Sequence, residues 1–470
     1  MTKSFSLIDR LRWLQERLDI ESGEGVDLFT YFPSIKKFFR ERRLHAVIRT
    51  IGDIVFTIII LMGLFGPQDP SSNVMLYLSW GLWWPSVVLS WFFVGRMWCG
   101  FCPFPGIGRI VQRYGLCLNL KVPDALKKNG VYWSVVLLGV IIWIEESTGM
   151  KYLPRATALL ILSILGGATI CAFLFPKQAW CRYLCPMGRI TGVAATLALT
   201  EFRPDHSKCK GCTHFGCKRG LGNYPGCPVY LGAFNVRNNL YCLVCGHCLR
   251  ACDRDSPQLL LRNPFKELVI NKGRFITCSY IIPFLIGSQL ARYFFEPFYF
   301  KTPVTNLDNM FSNMTSFSLL LLAGFLFAYV LSKLGAHLFG ITEDELFGRF
   351  SPMIPVFVPI AFGGELIYRL EYALKNAPNF FPCLGRQFGL PYLSSLTFTL
   401  PPWLIPALSL VILLISFIAA TYVLREFGLN EFCGMVTWAR YWGCLAILAT
   451  LASFYFVGLW YFLDVHALIT

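Results

Sequence analysis

Residues 242–252 read CLVCGHCLRAC, and this stretch decides what kind of fold the chain needs. Its four cysteines follow the spacing C-x2-C-x2-C-x3-C. Three closely spaced thiolates can hold three irons of one four-iron cluster, and a fourth, placed after a short helical turn, can ligate a second cluster. A zinc site more often uses two separated C-x2-C pairs. The stretch therefore predicts iron–sulfur ligation of the bacterial ferredoxin type, within a small domain of α-helices and β-strands.

A second cysteine run lies upstream, with the spacing C-x2-C-x4-C-x9-C-P. It has two extra residues before its third cysteine and six before its fourth, and the Gly-rich insert 218–226 can loop out. The natural ligation is crossed between the runs. The first predicted set is Cys209, Cys212, Cys217 and Cys252, and the second is Cys227, Cys242, Cys245 and Cys248. The alternative is that the upstream run has degenerated and holds no cluster.

Two related motifs precede these runs: WCGFCP at residues 98–103 and WCRYLCP at residues 180–186. Each follows a predicted pair of helices, so together they form an internal repeat. In a reducing compartment, four converging thiols indicate metal or redox chemistry more than structural disulfides. They could bind a third cluster, hold a soft metal such as Cu(I), or cycle as dithiols. The alternative is that they only cap helices. The candidate residues are Cys99, Cys102, Cys181 and Cys185.

The composition is that of a polytopic membrane protein. Of 470 residues, 55% are hydrophobic and only 15% are charged, and the mean hydropathy is +0.54. Soluble proteins carry about 25% charged residues. Stretches of about 20 apolar residues predict transmembrane helices. We predict about nine spans: 46–66, 75–95, 129–144, 156–175, 275–291, 309–332, 350–368, 402–424 and 441–463.

The distribution of Lys and Arg predicts the orientation. Of 42 such residues, 34 fall on the side that holds residues 1–45 and 177–274, and 7 fall on the other. Positive residues favour the cytoplasmic face, so the net charge of +15 reflects topology and predicts no nucleic-acid partner. We therefore predict an inner-membrane protein with a cytoplasmic N-terminus. Its predicted domains are an amphipathic cytoplasmic segment (1–45), a four-helix membrane core (46–200), a cytoplasmic two-cluster ferredoxin domain (201–274) and a five-helix C-terminal membrane domain (275–470).

Paired Trp-Cys…Cys-Pro motifs followed by a double cysteine run resemble the membrane polyferredoxin family, which includes the NapH, NosR and CcoG/FixG types. The resemblance covers about residues 46–260. It implies two [4Fe–4S] clusters, electron transfer along or across the membrane, and other redox subunits as partners. This chain departs from the family pattern in the C-x2-C-P spacing at Cys99 and in residues 275–463, for which the resemblance implies no function.

The favoured function is an electron-transfer subunit that connects a cytoplasmic donor or the quinone pool with a partner redox subunit. The first alternative is a copper reductase or assembly factor for a respiratory enzyme, and the second is a redox-sensing transport module. Glu365 interrupts the seventh predicted span. We expect it at the outer membrane interface; inside the bilayer it would pair with Arg369 or accept a proton from a quinol.

Overall fold

The computed structural model describes residues 25–269, 276–299, 307–339, 353–430 and 438–463. The described part is mainly helical. Helices of 21 to 32 residues lie at eight of the nine predicted spans, and at 75–95 a π-helical segment precedes an 11-residue helix. We number these helices α1 (Arg42–Phe65), α2 (Trp84–Val94), α3 (Asp124–Thr148), α4 (Pro154–Leu174), α5 (Ile276–Tyr299), α6 (Leu307–Leu338), α7 (Ile354–Asn376), α8 (Leu404–Asn430) and α9 (Trp438–Phe462).

Six of these helices are long and apolar enough to cross a membrane: α1, α3, α4, α6, α8 and α9. On α1, large apolar side chains recur at helical spacing and stay exposed, for example Ile54, Ile58 and Leu61. An apolar exposed stripe of this kind suits a lipid environment. The structure is therefore consistent with a multi-pass membrane protein. The predicted total of nine spans and the predicted orientation remain predictions.

The shorter segments lie mostly between the long helices. Two of them are π-helical, Tyr77–Trp83 before α2 and Trp180–Leu184. The other short helices are Leu28–Tyr31, Pro33–Arg40, Val74–Leu76, Met97–Phe101, Gly106–Arg113, Met150–Tyr152, Pro186–Ala194, Ala195–Leu197, His206–Cys209, Gly216–Arg219, Ala233–Asn235, His247–Arg250, Lys266–Val269, Ala377–Asn379, Phe380–Phe388 and Pro391–Ser394. The strands are β1 (Val26–Asp27), β2 (Thr200–Pro204), β3 (Gly220–Leu221), β4 (Tyr224–Pro225) and β5 (Pro257–Leu261).

The chain divides into two compact units by its internal contacts. The first unit comprises residues 1–54, 90–130 and 165–271, and the second comprises 55–89, 131–164 and 272–470. This division follows contacts in the fold and not consecutive segments of sequence. The four predicted domains therefore stay a prediction.

The first unit is built around a small antiparallel sheet in the order β1-β5-β2. Leu260 of β5 lies opposite Asp27 of β1 and Glu201 of β2. The predicted N-terminal segment contributes to this core, because Phe29 and Phe39 pack with Phe202, Val244, Leu249 and Leu259. Burying such side chains stabilises a fold by about 1.5–3 kcal/mol each. The N-terminal residues therefore help to fix the backbone of the 242–252 run.

The second unit is a helical bundle with α7 at its centre. Nearly every residue of α7 is buried, and α7 packs against α5, α8 and the Tyr77–Trp83 segment. Helices α5 and α6 cross closely at Gly287 and Gly324, where a Cβ on Gly324 would lie 2.9 Å from the Cα of Gly287. Small residues allow such close helix crossings within membranes.

Candidate functional site

Four of the predicted ligands line one cavity in the first unit. Cys209, Cys212, Cys217 and Cys252 all face it, although 43 residues separate the first cysteine from the last. The carboxylate of Asp205 accepts a hydrogen bond from the Ser207 amide and so caps the short helix that ends at Cys209. The structure thus brings together the four cysteines of the first predicted set.

The insert in the upstream run forms a hairpin. Strands β3 and β4 pair antiparallel across Gly222 and Asn223, and Gly222 has a positive φ of 56°, which suits a tight hairpin turn. The Cys227 amide donates to the Cys217 carbonyl at 3.0 Å. The insert therefore forms a hairpin, and its two ends at Cys217 and Cys227 remain hydrogen-bonded to each other.

The cysteines of the second predicted set also lie within electrostatic range of one another. The Cys242 thiol interacts with Cys245 and Cys227, and Cys248 interacts with Cys242, Cys245 and Cys227. Positive φ angles at Val244 and Gly246 let the backbone wrap tightly between the cysteines. The structure thus brings together the second set as well.

Burial makes thiolates costly at this second set. It raises the pKa of the Cys242 thiol to about 12 and raises the pKa of Cys245 and of Cys248 in the same direction. As free thiols, these three cysteines would therefore stay protonated at neutral pH. A bound metal ion reverses this balance, because its positive charge deprotonates a coordinating thiol.

The four cysteines of the Trp-Cys…Cys-Pro motifs converge in the first unit. Cys102 interacts electrostatically with Cys99, Cys181 and Cys185. Cys181 lies in the π-helical turn Trp180–Leu184, a wide turn of a kind often found at functional sites. The Cys185 sulfur accepts a hydrogen bond from the Gly188 amide at 3.2 Å. All four thiols are intermediate in exposure.

Positive charge surrounds this thiol group. Arg96 and Arg109 act on Cys181, and Arg96 and Arg189 act on Cys185. Desolvation by burial is nevertheless the largest influence, and it raises the pKa of the Cys185 thiol to about 11. Arginines that face a group of thiols favour an anionic ligand set. The group therefore suits a metal centre with a net negative charge.

The first motif packs directly on the 242–252 run. A Cβ built on Gly100 would lie 3.1 Å from the Cβ of Cys245 and 3.2 Å from the Leu243 carbonyl oxygen. Cys99 and Cys181 also pack against the cluster of Val229, Leu243 and Cys245. The sequence could indicate that these segments are neighbours, but it could not identify this contact.

Arg49 joins the same contact from the N-terminal half of α1. Its guanidinium donates to the Gly100 carbonyl at 3.0 and 2.8 Å and lies 3.2 Å from Nε2 of His247. Burial and the nearby arginines Arg250 and Arg49 lower the pKa of His247 to about 3. His247 is therefore a neutral hydrogen-bonding partner of Arg49.

We expect the variant Gly100→Val to loosen this contact. Its added side chain would overlap Cys245 and Leu243, and overpacking of this kind costs about 1–3 kcal/mol. Thermal unfolding should begin at a lower temperature, and the visible absorption of the bound clusters should weaken.

Gly166→Val is the matched control for this substitution. Gly166 is a helical glycine of the same unit, and nothing lies within 4 Å of the Cβ that would be added there. Equal effects from the two variants would show that Gly100 has no special contact.

The donor sets fit iron–sulfur clusters in their chemistry. Each of the three groups offers four sulfur donors, which is the usual ligand set of a [4Fe–4S] cluster. Within the described residues, no three or more Cys, His, Asp or Glu side chains are arranged to hold a single metal ion. The remaining described cysteines, Cys117, Cys171, Cys383 and Cys444, belong to none of these groups.

Glu365 does not lie at the end of its helix. Helix α7 continues past Gly364 to Asn376, and Glu365 is only 1% exposed. An end of the helix before Glu365 is therefore wrong, and the predicted position of Glu365 at the membrane interface stays a prediction. The pairing with Arg369 is confirmed, with Nε of Arg369 2.8 Å from Oε1 of Glu365.

Sequence reasoning missed the other charged residues around Glu365. Glu145, Glu146 and Arg292 are buried in the second unit. They fall one or two residues beyond the predicted ends of the third and fifth spans, where charged residues at a membrane interface are common. A pair of glutamates directly after an apolar run was the only available signal.

The part of the chain that carries both Trp-Cys…Cys-Pro motifs, residues 76–121 and 157–198, matches the model of a family described as a 4Fe–4S binding domain. The chain is 26% identical over 175 residues to an uncharacterized protein of Methanocaldococcus jannaschii, which is 36% of this chain and 65% of that protein. It is 22% identical over 184 residues to a protein of Escherichia coli named for electron transport, YccM, with 39% of this chain and 47% of that protein covered.

The chain thus spans less than two thirds of the length of either relative. No solved structure matches it. The family model supports iron–sulfur binding by the residues that it matches, and the YccM match is a distant similarity to a protein named for electron transport.

Proposed function

We propose that this chain is a membrane electron-transfer subunit that moves electrons through three adjacent iron–sulfur sites. Two sites are the crossed cysteine sets of the 209–252 segment, and the third is formed by Cys99, Cys102, Cys181 and Cys185. When bound, such clusters supply one-electron oxidation and reduction. The protein contributes the thiolate ligands, the positive surroundings and the fixed spacing between sites.

One observation carries this proposal: the three thiol groups are spatial neighbours, one after another. Gly100, which lies between Cys99 and Cys102, packs on Cys245 of the second set. Cys248 of the same set also interacts with Cys217 of the first set. The second set therefore lies between the other two, as an intermediate site in an electron path requires.

The close contact at Gly100 fixes the position of the first motif against the second set. A larger residue there would push the motif away from Cys245, whereas glycine allows the backbones to touch. Arg49 fixes the same carbonyl with two hydrogen bonds. The packing of Gly100 and the hydrogen bonds from Arg49 together fix the spacing between the third site and the second set.

A cluster explains the third site better than a pair of dithiols. Thiol–disulfide exchange needs an accessible thiolate, whereas these thiols are buried enough that desolvation raises the pKa of Cys102, Cys181 and Cys185. The matching family model, a 4Fe–4S binding domain, covers all four cysteines. A soft metal such as Cu(I) also prefers sulfur donors, but these side chains are not arranged to hold a single metal ion; metal analysis separates these two occupants.

The bias of Lys and Arg supports placing the 209–252 segment in the cytoplasm, where a soluble donor or a partner subunit would exchange electrons with the first set. That set lines an accessible cavity, so it suits exchange with an external protein. The quinone pool or a second redox subunit would exchange electrons with the membrane end of the path.

Metal analysis of the protein purified from its native membrane tests this proposal. We expect about twelve iron and twelve sulfide per chain, since each cluster contains four of each. About eight of each together with copper would favour the metal-reductase alternative at the third site. Zinc without sulfide would contradict iron–sulfur ligation altogether.

A further inference from the structure

The second unit contains a buried network of charged side chains that electron transfer through the cysteines does not use. Arg292 of α5 is 0% exposed. Its Nε lies 2.7 Å from Oε1 of Glu146 on α3, and its Nη1 lies 3.1 Å from Oε2 of Glu365 on α7. One arginine of α5 thus binds carboxylates of two other helices, α3 and α7.

A second arginine extends the network. Arg369 lies 2.8 Å from Glu365 and 3.1 Å from Glu145, and it stacks over the Trp84 ring at 5.0 Å. Both arginines therefore hold Glu365, which leaves that carboxylate with two cationic partners. Glu365 is consequently the most strongly stabilised anion of the network.

Tyr368 lies between Glu146 and one further carboxylate, Glu296. Its hydroxyl is 3.0 Å from Oε2 of Glu146 and 2.8 Å from Oε1 of Glu296. Lys151 contacts Glu296 and donates to the Tyr368 hydroxyl at 3.2 Å. A tyrosine hydroxyl has one proton to donate, so it cannot donate to Glu146 and Glu296 at once.

The charges of the network do not balance. Within the described residues it has five carboxylates and three cations: Glu145, Glu146, Glu296, Glu365 and Glu371 against Lys151, Arg292 and Arg369. Glu371 also pairs with the exposed Lys375 at 3.4 Å. One carboxylate remains in excess, and an uncompensated buried charge is expensive in a membrane.

Protonation of one carboxyl removes this excess and also satisfies Tyr368. A protonated Glu146 or Glu296 can donate to the tyrosine oxygen while the tyrosine donates to the other carboxylate. Among the described residues, Nη2 of Arg292 is buried without a hydrogen-bond partner, and a water molecule there would satisfy it.

We propose that Glu146, Tyr368 and Glu296 form a proton-binding site that holds one exchangeable proton inside the second unit. The proton binds to a carboxylate oxygen from water and returns to water on release. In transfer from Glu146 to Glu296, Tyr368 gives its hydroxyl proton to Glu296 and receives one from Glu146. The net charge of the site stays constant during that step, and no oxidant is needed.

The charged and titratable groups around this site determine whether a substitution raises or lowers its proton affinity. From α3 the site faces Glu145, and from Met150–Tyr152 it faces Lys151 and Tyr152. Helix α5 adds Arg292 and Tyr293, and α7 adds Glu365, Arg369, Glu371 and Tyr372. Removing a neighbouring cation should strengthen proton binding, and removing a neighbouring anion should weaken it.

Infrared difference spectroscopy of the full chain in lipid, with ¹³C-labelled glutamate, tests this proposal. We expect a protonated-carboxyl band in the wild type that grows as the pH falls and shifts in D₂O. Glu146→Gln and Glu296→Gln should each abolish the titrating band. Asp124→Asn is the control, because Asp124 is an exposed helix-start residue paired with Lys127.

Two further variants separate a proton site from a purely structural ion network. Arg292→Gln should raise the midpoint pH of the band by roughly one to three units, tenfold to thousandfold in proton affinity, and Glu365→Gln should lower it. A structural network predicts no such opposite shifts. A wild-type spectrum without a titrating carboxyl band would overturn the proposal, whether or not the variants fold.

Discussion

We expect the double variant Cys102→Ser/Cys185→Ser to lose electron transfer across the membrane while the sites of the 209–252 segment keep their clusters. Each substitution removes one thiolate from a different Trp-Cys…Cys-Pro motif, and the structure brings these two cysteines within electrostatic range. Serine is a poor ligand for iron in such clusters, so the third site should be empty. The packing at Gly100 and Cys245 should remain, because neither residue changes.

Proteoliposomes with dithionite outside and ferricyanide trapped inside provide the measurement. The rate of ferricyanide reduction should fall to that of protein-free vesicles, and the iron content should fall by about four per chain. Cys117→Ser/Cys171→Ser is a matched control that removes two other thiols from the same unit. Unimpaired transfer in the first variant would reduce the motifs to helix caps. Loss of all iron would indicate a role in folding instead.

The sequence predicted most of the helices because a run of about 20 apolar residues can be recognised without knowledge of the fold. Eight of the nine apolar runs lie at helices of 21 residues or more. The structure brings the predicted cysteine sets together, and the ligation of clusters by these sets stays a prediction. The sequence also indicated the pairing of Glu365 with Arg369, because residues four apart lie on the same face of a helix. These predictions needed no information about long-range contacts.

The buried network could not be predicted, because its contacts join distant parts of the sequence. Glu146 meets Arg292, and Arg369 meets Glu145, across more than 140 and 220 residues respectively. Each charge alone resembles an interfacial residue at the end of an apolar run. These charged side chains become buried partners of one another only when α3, α5 and α7 pack together.

The contact of Gly100 with Cys245 had the same limitation. The short chain between Pro186 and Cys209 predicts that the second motif lies near the first cysteine set. It does not predict that the first motif touches the second set, since this depends on the fold of the 242–252 run. Gly100 carried no sequence signal beyond its small size.

Crossed ligation predicts a second large effect, in which Cys252→Ser removes the cluster held by cysteines far upstream. Cys252 lines one cavity with Cys209, Cys212 and Cys217, and Cys217 interacts with both Cys252 and Cys209. We expect the single variant to lose about four iron and four sulfide per chain. Its sequence neighbours Cys245 and Cys248 should keep their cluster.

Paired substitutions test this assignment directly. Once one ligand substitution has removed a cluster, a second substitution at the same cluster causes no further loss of iron. Cys252→Ser/Cys209→Ser should lose no more iron than Cys252→Ser alone, whereas Cys252→Ser/Cys242→Ser should lose about twice as much. Iron analysis and redox-titrated EPR of the three variants supply the comparison. The reverse pattern, with additivity for Cys209 and none for Cys242, would mean that each run holds its own cluster. In that case Cys227 would belong with Cys209, and its hydrogen bond to the Cys217 carbonyl would place a ligand where the hairpin insert closes.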